Sequence, residues 1–167
     1  MIGIEIEHFY GNGADIKLIE FIGGNLLINF PNKFIELIKL GDQIVPKKKV
    51  FKIKDNYLNK LREVEIGSFL SFNPKNNYNI IRRYFLAPDF FPRTLVPFAE
   101  VGNGDLICFD YSVSGLDDVD PPIVYWIHDN PEGYEIADVA INFQEFINSL
   151  KSEEEAETAN NDQPATH

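Results

Sequence analysis

The dipeptide Asn103-Gly104 lies between two apolar runs, Leu95-Val96-Pro97-Phe98-Ala99 and Leu106 to Tyr111. Asn-Gly is the favoured centre of a two-residue hairpin because both central residues need positive φ, which Asn and Gly adopt at little cost. Two antiparallel strands are therefore expected here, with Pro97 at an edge or a bulge because it cannot donate to a ladder. The pattern then repeats. Ser112 to Pro122 reads as a polar loop, Ile123 to His128 as a strand, Asp129 to Gly133 as a turn, and Tyr134 to Ala137 as a last short strand. Asp138 or Asn142 opens a helix with Val139, Ile141, Phe143, Phe146, Ile147 and Leu150 as its buried stripe.

The N-terminal half carries helical periods. Asp15 caps a helix with Ile16, Leu18, Ile19 and Ile22 on one face, ended by Gly23-Gly24. Pro31 suits the first turn of a second helix, with Phe34, Ile35, Leu37 and Ile38 on one side and Gly41 as its stop. Val50 to Lys54 alternates and reads as a half-exposed strand. Tyr57, Leu58, Leu61 and Val64 are spaced for one or two helical turns, Ile66 to Phe72 reads as a strand, and Asn76 to Leu86 as a helix. Helices followed by hairpin-linked strands and a closing helix predict an α+β fold: an antiparallel sheet with N-terminal helices and a C-terminal helix packed on it.

The domain is expected to span residues 1–151, with residues 152–167 (SEEEAETANNDQPATH) as a disordered acidic tail because that stretch lacks large apolar residues. Met1 to Tyr10 has no basic cluster ahead of an apolar run, and no stretch of 18 uncharged apolar residues exists. A cytoplasmic, soluble chain is expected.

Charge is divided unevenly. Residues 94–167 hold 16 of the 26 acidic side chains and one of the 15 basic ones, Lys151. Such a surface repels nucleic acid and anionic lipid, which are bound through Lys and Arg. No nucleic-acid or membrane partner is therefore expected, whereas a basic protein would be attracted.

No constellation for catalysis stands out. The single cysteine, Cys108, excludes an intramolecular disulfide and a cysteine-based zinc cluster. It lies mid-strand, where a buried inert thiol is the ordinary role, and pairing with His128 would need neighbouring strands to bring the two together. Asp105, Asp110 and Asp129 read as turn caps and surface charge. Asp117, Asp118 and Asp120 fail the spacing of a calcium loop, with Pro121-Pro122 where a ligand would be needed. No catalytic, cofactor or metal residues are assigned. A small hydrolase using His128 with Asp129 or Cys108 is the enzymatic alternative.

Four ordered pieces carry a family resemblance. Leu95-Val96-Pro97-Phe98-Ala99-Glu100 with Gly102-Asn103-Gly104-Asp105-Leu106-Ile107-Cys108-Phe109-Asp110-Tyr111 resembles the hallmark hairpin of the SUKH superfamily. Pro122 to Asp129 is similar to its Val-Tyr-Trp strand, Ile136 to Ile147 to its closing helix, and Ile19-Glu20 with Phe30-Pro31 to Ile38 to its two N-terminal helices. Leu40-Gly41-Asp42 and Asn142 depart from the usual residues at a turn and a cap. The resemblance implies a non-enzymatic α+β protein. Bacterial members commonly act as immunity proteins that neutralise a cognate polymorphic toxin, often a nuclease, and fungal relatives regulate cell-wall assembly through protein contacts.

Together these lead to an expected partner, a basic cognate toxin, met by one negative face. The candidate contacts are Asp117, Asp118, Asp120, Asp129 and Glu132, with Tyr134 as an exposed tyrosine that would anchor the contact once buried by the partner. A regulatory or scaffold domain of the cell-wall type is the alternative.

Overall fold

A computed structural model describes residues 2–162. It begins with β1 (Ile6–His8), α1 (Ile16–Leu26), α2 (Asn32–Ile38) and β2 (Val45–Pro46), and β1 pairs antiparallel with β2. β3 (Val50–Asp55) and β4 (Lys60–Glu65) form a separate hairpin. After them come β5 (Ser68–Phe69), α3 (Ile80–Phe85), β6 (Leu95–Glu100), β7 (Leu106–Asp110), β8 (Ile123–Trp126), β9 (Ile136–Ala140), α4 (Phe143–Ser149) and α5 (Glu153–Asn161). β5 to β9 lie side by side in chain order as a five-stranded antiparallel meander. The fold is α+β, with the closing helix α4 against β9 and α2.

β6 and β7 pair as a hairpin, but the expected two-residue Asn103-Gly104 turn is corrected to a loop of residues 101–105, in which Gly102 (φ 88°) and Gly104 (φ 98°), and not Asn103, take positive φ; the ladder shifts register between Pro97 and Ala99. Pro97 thus sits at a bulge inside the sheet, where its missing N–H costs no ladder bond. β6, β7 and β8 are buried almost residue for residue. Phe98 stacks on Phe109 at 4.3 Å, and Phe34 of α2 meets Phe109 edge-on at 5.1 Å. Phe143 of α4 closes the group 5.4 Å from Phe34. Each such ring contributes about 1.5–3 kcal/mol by leaving water, and the paired geometries add about 0.5–1.5 kcal/mol.

Local differences from the sequence expectations have identifiable causes. α1 does not stop at Gly23-Gly24 but runs to Leu26, ending where Leu27 takes φ 58° and Ile28 N–H bonds back to the Gly23 carbonyl at 3.0 Å. A Cβ on Gly23 would lie 3.2 Å from the Ile28 carbonyl oxygen, so this glycine serves the close return of the chain. Residues 57–64 are not helical. The Asp55 carboxylate accepts from Tyr57 and Leu58 N–H at 3.0 and 3.1 Å, Asn59 turns the chain at φ 50°, and β4 pairs with β3. Tyr57, Leu58 and Leu61, which suggested a helical face, are exposed.

The strand expected over 66–72 is confined to Ser68–Phe69, because Phe72 N–H turns to the Asp42 carboxylate at 2.8 Å and Ser71 N–H to the Tyr78 carbonyl at 2.9 Å. α3 starts at Ile80, after Asn79 caps Ile81 and Arg82. Asn76 instead holds the preceding turn through Tyr78 N–H at 2.8 Å. β8 stops at Trp126, short of His128. β9 runs over Ile136–Ala140, not 134–137, so Val139 belongs to a strand; Asn142 is the cap of α4, and Ile141 is exposed.

The expected disordered tail is corrected for residues 153–161, which form α5. Ser152 and Glu155 build a reciprocal capping box, and three glutamates in the first turn face the positive end of the helix dipole. Lys48 pairs with Glu155 at 2.8 Å, Lys52 donates to Asn160 at 3.1 Å, and Ala156 is buried. The acids taken as a sign of disorder are those that start the helix. Residues 163–167 of that tail lie outside the described residues.

Candidate functional site

In a meander each strand reverses the last, so consecutive loops leave opposite ends of the sheet. The loop from Tyr111 to Pro122 joins β7 to β8, and the loop from Ile127 to Glu135 joins β8 to β9. Asp117, Asp118 and Asp120 are therefore at one end, and Asp129, Glu132 and Tyr134 at the other. The four residues of β8 alone separate them by about 13 Å. The single negative face expected from the sequence is corrected to two acidic sites of different construction.

The first loop is held by its backbone. Gly115 N–H bonds to the Tyr111 carbonyl and Asp118 N–H to the Gly115 carbonyl, both at 3.1 Å. The Tyr111 hydroxyl donates to the Asn29 carbonyl at 2.6 Å, and the Asn29 amide reaches the Asp117 carbonyl at 3.5 Å. These bonds tether the loop to the α1–α2 turn. Among the described residues Asp117, Asp118 and Asp120 form no ion pair with Lys or Arg. Burial and the charge of Asp118 push the Asp120 carboxyl above the ordinary carboxylate range, partly offset by a hydrogen bond with Asn142. Several cations of the N-terminal half are engaged elsewhere: Lys47 with Glu5, Lys49 with Glu7 and Glu65, Arg62 with Asp55.

Sequence reasoning missed the apolar component of this end. Val113, Leu116 and Val119 are exposed between the acids, and Leu27 is exposed on the adjoining α1–α2 turn. Beside Val119 opens a cleft of about 650 Å³, its wall formed by Ile16, Ile19, Ile28 and Ile35 with Glu20 also facing it. The spacing of Val113, Leu116 and Val119 within a polar loop was the only available signal.

The second loop is built around buried acids. Asp105, 2 % exposed, accepts from the Tyr125 hydroxyl at 2.7 Å and from His128 N–H at 2.9 Å, and its Oδ1 lies 2.7 Å from His128 Nδ1. Burial and the bond to Asp105 push the Tyr125 hydroxyl well above its ordinary pKa. His128 Nε2 meets the exposed Asp129 at 3.1 Å. The ring of His128 also packs within 3.1 Å of where a Gly104 Cβ would stand, so this hairpin position, at φ 98°, admits only glycine. Asn130 donates to Asp55 at 3.1 Å, and Tyr134, half exposed, leans on Tyr57 at 5.7 Å. Glu132 is exposed.

The acid–histidine–acid line Asp105–His128–Asp129 thus fastens the β6–β7 turn to the end of β8. Cys108 faces Val124 in the ladder, three residues from Asp105 and about 10 Å along the strand. Its thiol is fully buried and pushed far up by burial and by Asp110, which disfavours the nucleophilic thiolate. The two residues that a nucleophilic site would need are not brought together.

Among the described residues no helix is long and apolar enough to cross a membrane. No curated protein matches the chain. A family model described as SMI1 / KNR4 family (SUKH-1) matches residues 13–149, from the residue before the first buried alanine to the last residue of α4.

Proposed function

The chain belongs to the SMI1/KNR4 family (SUKH-1), and from that premise we propose that it acts as an immunity protein, binding a cognate toxin and blocking it by occupancy. The supporting observation is the β7–β8 loop, where three aspartates without an ion pair among the described residues share a loop with Val119, which lines a largely apolar open cleft. A toxin that acts on nucleic acid is basic where phosphate binds. Asp117, Asp118 and Asp120 steer such a surface and meet its cations, while Val113, Leu116, Val119 and Leu27 supply area that leaves water on contact. The role needs binding and no turnover. Asp129, Glu132 and Tyr134 remain a second, smaller candidate contact at the far end.

The test is association with the toxin domain encoded beside this protein. Complex formation is expected at or below micromolar concentration, with an on-rate that falls as salt rises. Changing Asp117, Asp118 and Asp120 together to Asn is expected to slow association about tenfold at low salt and to flatten the salt dependence. Absence of a complex at micromolar concentration overturns the immunity reading. A complex whose on-rate ignores the three changes overturns only the assignment of this loop.

A further inference from the structure

A second cleft, of about 460 Å³, opens between α3 and the turn-proximal ends of β7 and β8. Its character is opposite to that of the acidic loops. Arg82 and Arg83 of α3 line it, as do Tyr78 and Trp126. Arg82 is exposed and forms no ion pair among the described residues. Arg83 lies over the Tyr78 ring at 5.3 Å and gives one nitrogen to Glu100 at 2.8 Å, but its buried Nε–H has no acceptor among the described residues. The indole N–H of Trp126, a residue 2 % exposed, is likewise buried without an acceptor among the described residues.

Guanidinium and indole groups donate and never accept. Both arginine side chains keep part of their surface in water along the cleft, so it favours a ligand that brings acceptors and negative charge. Apart from Asn77 the other side chains of the wall are apolar, among them Leu86 and Leu106, and Phe90 stands exposed 6.2 Å from Trp126. A bare anion would leave that wall in water. Arg, Tyr and Trp around a pocket are also the residues that dominate binding energy at protein interfaces.

We propose that this cleft is a second interaction site, which takes a short peptide segment of a partner protein carrying a carboxylate next to an apolar side chain. The carboxylate meets Arg82 and the accessible part of the Arg83 side chain, and the apolar side chain lies against Leu86 and Phe90. The site is at the opposite end of the sheet from Asp117, Asp118 and Asp120, so it is independent of the toxin contact proposed above.

Trp126 is the only tryptophan of the chain, so its emission reports on this cleft directly. The probe is N-acetyl-Asp-Glu-Phe-amide titrated into the full chain, with N-acetyl-Asn-Gln-Phe-amide and inorganic phosphate as parallel arms. A saturable change is expected with the acidic peptide at a Kd of roughly 0.1–1 mM, and none with the other two. Arg82→Gln and Leu86→Asp both alter exposed residues and are each expected to weaken binding at least fivefold while leaving the urea midpoint in place. The proposal is overturned by an unchanged Trp126 signal up to about 10 mM peptide, a scale at which even weak specific contacts register. It is equally overturned by binding that neither variant weakens, or by equal saturation with phosphate, which would make this a bare anion site. Self-association that is lost in Arg82→Gln would place a second copy in the cleft and overturn the partner segment.

Discussion

The two ends of the sheet use the same side chain for opposite purposes. At the β8–β9 end, Asp105 and Asp55 are almost wholly buried and surrounded by donors: Tyr125 and His128 for the first, Arg62, Asn130, Tyr57 and Leu58 for the second. At the β7–β8 end, Asp117, Asp118 and Asp120 form no ion pair with Lys or Arg among the described residues, and the charge of Asp118 bears on Asp120. An aspartate that closes a donor set belongs to the fold. One left without a cation and beside a like charge is poised for an external cation, because a ligand can relieve what the fold has not. Sign of charge alone does not separate these roles; burial and donor count do.

The sharpest test of the difference is Asp105→Ala. It strands the Tyr125 hydroxyl and two donors of His128, and is expected to cost about 3 kcal/mol in urea unfolding. A loss under about 1 kcal/mol would break the structural half of the comparison.

Asp55→Asn should cost less, about 2 kcal/mol at pH 7, since the amide keeps one acceptor. Burial pushes the Asp55 carboxyl up, but the bonds from Leu58, Arg62, Asn130 and Tyr57 outweigh it and hold its pKa below the usual range. A carboxyl depressed in the folded state stabilises above its unfolded value of about 3.9, and that contribution fades as pH falls through the folded value. The gap between wild type and Asp55→Asn is thus expected to close as unfolding is followed from pH 7 down through pH values below about 4.

The smallest effect on stability is expected where the effect on binding is largest. Replacing Asp117, Asp118 and Asp120 by Asn should move the urea midpoint by less than about 0.5 kcal/mol equivalent, with any change toward greater stability because Asp118 no longer crowds Asp120. A large destabilisation would return these aspartates to the structural class.

The parts legible in the sequence were those set by neighbouring residues. The Asp15 cap acts over three positions and forms as expected, α2 starts one residue after Pro31, and β6 and β7 pair as a hairpin although the positive φ falls on Gly102 and Gly104 rather than on Asn103. Residues 57–64 misled because Tyr57, Leu58 and Leu61 point to solvent, so their spacing reflected no buried face. The tail misled because its charge was weighed without its capping box. That the two acidic loops part company follows from strand order, yet candidate residues chosen by charge carried no sense of direction. The apolar cleft beside Val119 was out of reach altogether: its walls come from α1, the α1–α2 turn and a loop some ninety residues later, tied by contacts such as Asn29 to Asp117.

The Phe34–Phe98–Phe109–Phe143 assembly has a consequence for how such a protein can change over generations. Folding energy is concentrated in rings that α2, β6, β7 and α4 bring together, while the rim that would discriminate one opponent from another is made of exposed residues whose replacement leaves those rings in contact. Distant, unconnected sites contribute additively. A lineage built on this plan is free to rewrite its rim substitution by substitution, keeping pace with an adversary without ever renegotiating its own architecture.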